Sequence, residues 1–194
     1  MTSVAAARTA RLPRIADVPQ GRLALWWVIA SEVVIFGGLI ACYVLYRVRH
    51  PEWGEAAAHT STRLGALNTL VLLTSSLTVV LAHVAATRRQ TDRIARYLAA
   101  SIAVGGVFLG VKAVEYTSEI AHGFTFAAQL FWSFYYLLTG LHAAHVLAGM
   151  IAMAVVMRQA ARGRNLQRVE LVGLYWHFVD TVWIFLFPLL YLAK

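Results

Sequence analysis

Apolar residues along the chain gather into five long runs, at about 23–46, 64–87, 94–121, 130–157 and 169–191, and the stretches between them hold most of the arginines. Each run is long enough to cross a bilayer as a helix, which takes roughly 20 mostly apolar residues. The pattern predicts an all-α fold, a polytopic membrane protein built as a bundle of five transmembrane helices. No internal repeat or low-complexity tract breaks it. Polar residues interrupt the runs at few positions. In the last run His177 and Asp180 stand three residues apart, on one face of a helix. Ionisable groups at membrane depth are costly, so they face protein or water and mark candidate functional positions.

Composition narrows the class. Sixty per cent of residues are hydrophobic and only 13% charged, which excludes an ordinary soluble domain. The single cysteine, Cys42, lies in an apolar run, so neither a disulfide framework nor a cysteine-rich metal site is expected. A net charge of +8 suggests nucleic acid at first sight, but the basic residues flank the apolar runs. That placement belongs to membrane topology and not to a nucleic-acid partner. Arg8, Arg11, Arg14 and Arg22 fall in a first segment, 1–22, with two prolines and no apolar core of signal-peptide length. It is expected to be a basic cytoplasmic tail, and 23–194 the membrane domain.

Of the 17 lysines and arginines, twelve fall in the tail and in the connections at 88–96 and 158–168. The other side has four, Arg47, Arg49, Arg63 and Lys194, while Lys112 lies inside a run. The bias predicts a cytoplasmic N-terminus and an outer C-terminus. At ~1.5 Å per residue, Glu32 then lies roughly 14 Å from the inner surface, and His177 and Asp180 roughly 12–16 Å. His142 and His145 lie roughly 18–24 Å below the outer end of their helix. In a core ~30 Å thick these five groups share one layer.

Each polar position has a structural and a functional reading. Glu32 is either a neutral carboxyl hydrogen-bonded between helices or a proton-responsive group, because an isolated charge is expensive at that depth. Asn68 and Thr69 suit interhelical hydrogen bonds, and His83 the inner interface. Lys112, Glu115 and Glu119 share a face, where a lysine and a glutamate three apart neutralise one another. His142 and His145 have the spacing of helical metal ligands. Haem or copper would need further ligands and an open position, so a hydrogen-bonded network is the expectation. Arg158 is an inner anchor or a fork for a lipid phosphate. Gly106 and Gly110 form a GxxxG pair, and Gly140, Ala144, Ala148 and Ala152 a small-residue stripe; both predict close helix contacts. Trp26, Trp27, Trp132, Tyr135 and Tyr191, near span ends, suit an interfacial aromatic belt.

Several of these positions form motifs that resemble one family. Tyr175-Trp176-His177-Phe178-Val179-Asp180 with Trp183, Thr139-Gly140-x-His142-x-x-His145-Val146-x-x-Gly149, Leu67-Asn68-Thr69 and Glu115-Tyr116 run in order through the chain. Together with Glu32 they resemble subunit III of the aa3-type haem–copper cytochrome c oxidases, in its short five-helix form. Longer members carry two further N-terminal helices that line a lipid cleft. The resemblance implies an accessory core subunit without metal, in a complex that reduces oxygen to water and moves protons outward. Haem a and copper would belong to partner subunits. Subunit I, subunit II and a c-type cytochrome would be the partners, in a bacterial inner membrane. It also implies buried or proton-responsive roles for Glu32, His142, His145, His177 and Asp180, and interhelical roles for Asn68, Thr69, Lys112, Glu115 and Thr139. Arg158, Glu170 and Trp176 would contact bound phospholipid. The alternatives are a quinol-oxidase subunit III, a nitric-oxide-reductase-associated homologue, or, in another class, a proton-coupled transporter. Transporters usually carry internal repeats and interrupted helices.

Overall fold

The computed structural model describes residues 20–193. Arg8, Arg11, Arg14 and Lys194 lie outside the described residues. The described part holds six α-helices: α1 (Gln20–Arg49), α2 (Trp53–Ala58), α3 (Thr62–Thr87), α4 (Thr91–Ala121), α5 (Leu130–Ala160) and α6 (Gln167–Phe187), closed by a π-helical turn at Pro188–Leu192. Five of the helices, α6 together with its turn, are long and apolar enough to cross a membrane. They overrun the apolar runs by a few residues, so positions 20–22 of the expected tail are helical.

Three helix ends are closed by one device. After α4, Gly123 (φ 86°) donates to the Ile120 carbonyl and Phe124 to that of Glu119. The left-handed residue turns the chain back so that orphan carbonyls find donors. Gly163 (φ 67°) does the same after α5. After α3 the position is taken by Arg89 (φ 53°), which tolerates the left-handed region at a cost glycine would avoid. At the other end of the bundle, Pro188 has no N–H and the last turn widens, Ala193 N–H reaching the Pro188 carbonyl at 3.0 Å. The carbonyls this turn leaves free are met by other elements. Tyr43 donates to Leu189 (3.0 Å), Thr60 to Leu190 (3.3 Å), Thr62 to Tyr191 (3.1 Å) and Arg47 to Ala193 (2.9 Å). Short α2, too brief to leave a helical period in the sequence, buries Trp53, Ala56 and Ala57 over this end.

Helices α3 to α6 form the bundle, and α1 lies against α5 and α6. In its most apolar stretch α1 buries 11% of its residues and α6 buries 44%, so α6 is the hub and α1 the periphery. Hydrophobic burial gives no drive between helices in lipid, so close packing and interhelical hydrogen bonds must hold them. The close contacts differ from the expected ones. A Cβ on Gly110 would meet nothing within 4 Å, and one on Gly106 only a methionine at 3.9 Å. Ala144 and Ala148 are exposed. The tight glycines are Gly149, where a Cβ would stand 2.8 Å from the Trp176 ring, and Gly65, at 2.8 Å from Phe187. Spacing alone does not say which side of a helix meets a neighbour. The aromatic belt is corrected likewise: Trp26 and Trp27 are exposed, but Trp132, Tyr135 and Tyr191 are fully buried.

Candidate functional site

The helix registers set the level of each polar group. Arg22 on α1 pairs with Glu170 on α6, and Tyr43 with Leu189, ties between residues 148 and 146 apart. They place Glu32 level with residues 178–180. Ring contact between His142 and Trp183, and the Tyr175 hydroxyl against the His145 carbonyl, set α5 beside the same stretch of α6. Glu32, His142, His145, His177 and Asp180 therefore share a layer, but they do not form one network. They divide into two pairs and a lone imidazole.

The first pair lies between α1 and α5. Glu32 Oε2 is 3.0 Å from His145 Nε2, with side-chain exposures of 17% and 16%. The contact is close but oblique, and Oε2 makes no aligned hydrogen bond among the described residues. The other imidazole nitrogen, Nδ1, lies 2.8 Å from the Leu141 carbonyl one turn back, and the ring meets Phe36 edge-on. Glu32 is thus partly buried.

The second pair lies between α3 and α6, and Ser76 joins it. The Ser76 hydroxyl donates to Asp180 Oδ2, which leaves its oxygen to accept from His177 Nδ1 at 2.7 Å. A hydroxyl has one proton to give, so this order follows once Asp180 is the acceptor. One residue earlier, Ser75 accepts from Trp176 Nε1 at 2.7 Å. Neither serine was a candidate from the sequence, although two adjacent hydroxyls in the middle of an apolar run are a readable mark. Trp176 is fully buried. The lipid contact expected of it is corrected: its indole packs on Gly149 and its N–H is spent on Ser75.

His142, one turn before His145 on the same helix, meets different neighbours: α4 and α6 in place of α1. It is fully buried between Phe108 and Trp183, with ring centroids at 5.4 and 5.1 Å, and neither nitrogen has a partner among the described residues. Asn68 is also fully buried and unbonded among the described residues, which corrects the interhelical hydrogen bond expected of it. Its neighbour Thr69 accepts from Trp183 Nε1 at 3.0 Å.

Toward the C-terminal end stands a buried ion pair. Lys112 Nζ donates to Glu115 Oε2 (2.9 Å), Tyr135 (3.1 Å) and Tyr191 (2.8 Å), so all three ammonium protons are placed. Tyr191 also donates to Glu115 Oε2 at 3.1 Å. The ammonium lies 4.7 and 4.8 Å from the Tyr116 and Tyr135 ring centres, an arrangement that favours a cation. Beside it the Tyr116 and Thr139 hydroxyls bond at 2.6 Å across α4 and α5. Glu119, one turn on, is buried and takes no part in the pair. This centre holds Tyr135 and Tyr191 inward, and Trp132 packs beside Tyr135 and on Phe124.

The arginine-rich end holds the remaining candidates. Arg158 is exposed, and Glu170 is tied to Arg22. His83 lines a cleft with Arg89, Gln167 and Glu170. At the far end, outside the spans, the Glu52 carboxyl is held below the ordinary carboxylate range by its own backbone N–H and by His50. Among the described residues no group of three or more histidine, cysteine or acidic side chains is placed to hold a metal. The contacts of the polar layer tie α1 to α5 and α3 to α6.

Residues 18–193 match the family model described as cytochrome c oxidase subunit III. The chain is 33% identical over 173 residues to a Corynebacterium diphtheriae protein named cytochrome c oxidase subunit 3, covering 86% of this chain and 84% of that one. It is 32% identical over 172 residues to subunit 3 of a Pseudomonas aeruginosa cytochrome bo(3) ubiquinol oxidase, covering 86% and 82%. It is also 31% identical over 183 residues to an Aeropyrum pernix haem–copper oxidase subunit I+III, covering 89% of this chain and 22% of that larger one. With its motifs borne on one continuous helical bundle and the family match spanning that bundle, the chain belongs to the cytochrome c oxidase subunit III family, the third subunit of the haem–copper oxidases.

Proposed function

We infer that this chain is a metal-free accessory core subunit of a terminal cytochrome c oxidase, and that it supports assembly, lipid retention and stability during turnover. The complex reduces oxygen to water and translocates protons, with haem a and copper held by its partners. The observation that carries this reading is that the polar groups inside the bundle pair across helices. Ser76 with His177 and Asp180, Lys112 with Glu115 and two tyrosines, and Tyr116 with Thr139 each make hydrogen bonds from one helix to another inside the bundle. Such groups tie helices together.

Subunit I is the expected main partner. The Aeropyrum relative, whose name joins subunits I and III in one chain, supports that pairing. Subunit II and a c-type cytochrome complete the assembly. In a bacterial inner membrane the arginine-rich end faces the cytoplasm and the C-terminus lies outside. Phospholipid retention is supported by an apolar groove of about 440 Å³ where α1 meets α5 and α6, lined by Leu25, Ala148, Ala152 and Tyr175 with Arg168 at its arginine-rich end. Arg158 and Glu170 stand at that same end of the bundle, within reach of headgroups. Glu32 with His145, and His177 with Asp180, are the proton-responsive positions.

The Pseudomonas relative, a quinol-oxidase subunit of similar identity, favours one second reading: the same accessory role in an oxidase fed by quinol. Purification in mild detergent through a tag on this chain, followed by a visible absorption spectrum, separates the outcomes. Co-purifying haem a with oxidation of reduced cytochrome c is the expected result. Another haem with quinol oxidation selects the second reading. A stable, haem-free protein purified alone overturns both.

A further inference from the structure

Six side chains carry buried polar atoms with no hydrogen-bond partner among the described residues, those of Glu32, Arg47, Asn68, Glu115, His142 and Asp180, and the three least exposed of them, Asn68, Glu115 and His142, lie around one level of the bundle. Asn68 on α3 is 0% exposed with Oδ1 and Nδ2 both unbonded, and His142 on α5 is 0% exposed with both ring nitrogens unbonded. Glu115 on α4 is 1% exposed, with Oε2 engaged and Oε1 free among the described residues. The hydrogen bond between Thr78 and Ser101 sets α3 against α4 so that Asn68 lies level with residues 111–112. Trp183 is the shared wall. Its Nε1 donates to Thr69, next to Asn68, and its ring centre lies 5.1 Å from that of His142 and 5.8 Å from Lys112 Nζ. Lys112 in turn holds Glu115.

Buried polar groups in folded proteins are almost always hydrogen-bonded, to protein or to ordered water. The donors and acceptors here are complementary to water. The amide offers both, the imidazole offers one of each in either neutral tautomer, and the carboxylate oxygen accepts. An enclosed water needs two to four such partners, as these three residues supply. We propose that this level of the bundle is a hydration site, where ordered water bound between Asn68, His142 and Glu115 Oε1 joins the Lys112–Glu115 ion pair to His142 in one hydrogen-bonded cluster. His142 then belongs with Lys112 in function, and not with its helix neighbour His145. The site is a property of this bundle and is independent of which electron donor the complex uses.

The test is cryo-electron microscopy of the intact complex, at a resolution where other enclosed waters appear. A density peak is expected within ~3.2 Å of a His142 ring nitrogen and of the Asn68 amide. No peak there while equally buried waters are visible elsewhere overturns the proposal, as does a side chain of another subunit filling the place. A second reading comes from thermal midpoints of the assembled Asn68→Leu, His142→Phe and double variants. Shared water makes the double variant's fall smaller than the sum of the single falls by about 2 °C or more. Additive falls contradict the proposal. If a variant fails to assemble, the wild-type density decides.

Discussion

Glu32 on α1 and His145 on α5 stand 3.0 Å apart, Oε2 to Nε2, while Nδ1 of the same imidazole lies 2.8 Å from the Leu141 carbonyl. A carbonyl only accepts, so Nδ1 carries a proton. Nε2 then either accepts from a protonated Glu32 or donates to a carboxylate. The contact sets a carboxyl of α1 against an imidazole of α5. It is also a tie between peripheral α1 and the bundle.

The pair predicts a coupling. Glu32→Ala and His145→Ala each loosen α1, and the double variant loses less than the sum, by about 0.6 kcal/mol and at most about 1.7, the range of interhelical polar contacts in membranes. Glu32→Gln, whose amide can donate to Nε2, assembles like wild type. Thermal unfolding of the detergent-solubilised complex measures all four.

Gly149→Ala is expected to destabilise by about 1–3 kcal/mol, because the new methyl would stand 2.8 Å from the Trp176 ring, itself fixed by Ser75. Gly110→Ala, with nothing within 4 Å, should have no such effect. Thermal midpoints of the two variants compare a tight glycine with an open one.

Removing one partner of the buried Lys112–Glu115 pair strands the other. Lys112→Met or Glu115→Leu alone should cost about 3–5 kcal/mol, with assembly yield falling accordingly. The paired replacement Lys112→Met with Glu115→Leu should recover much of that loss. If the double variant is the worst of the three, the pair is not acting as a self-contained neutral unit.

These contacts mark where sequence reading stops. The five spans were legible because a helix crossing a bilayer must be apolar for about 20 residues. The shared level of Glu32, His142, His145, His177 and Asp180 was legible because rise per residue is nearly constant. Direction around each helix was not. His142 and His145, three residues apart, point to different neighbours, and only the packing of α5 against both α1 and α4 decides which. Tyr135 and Tyr191 sit near span ends, as belt residues do, yet both bond to Lys112 inside the bundle. Gly149 was counted as part of a motif, but its role appears only with the Trp176 ring lying on it.

Topology follows from arginine placement. A reporter fused after Lys194 should be active outside and one in the turn at 88–90 should be active inside, since twelve basic residues lie on that side against four on the other. Reversed activities would place the polar layer's ends on the wrong sides.

The accessory role is tested most directly by oxygen consumption of the purified, fully assembled Glu32→Gln complex. The substitution keeps size and places an amide donor opposite His145 Nε2 while removing the carboxyl group's ionisable proton. Initial turnover near the wild-type rate, followed by faster inactivation during sustained turnover, is the predicted result. Immediate loss of oxidase activity, with subunits and haem content intact, would contradict the account, because it would put Glu32 on the path that delivers protons to the reaction.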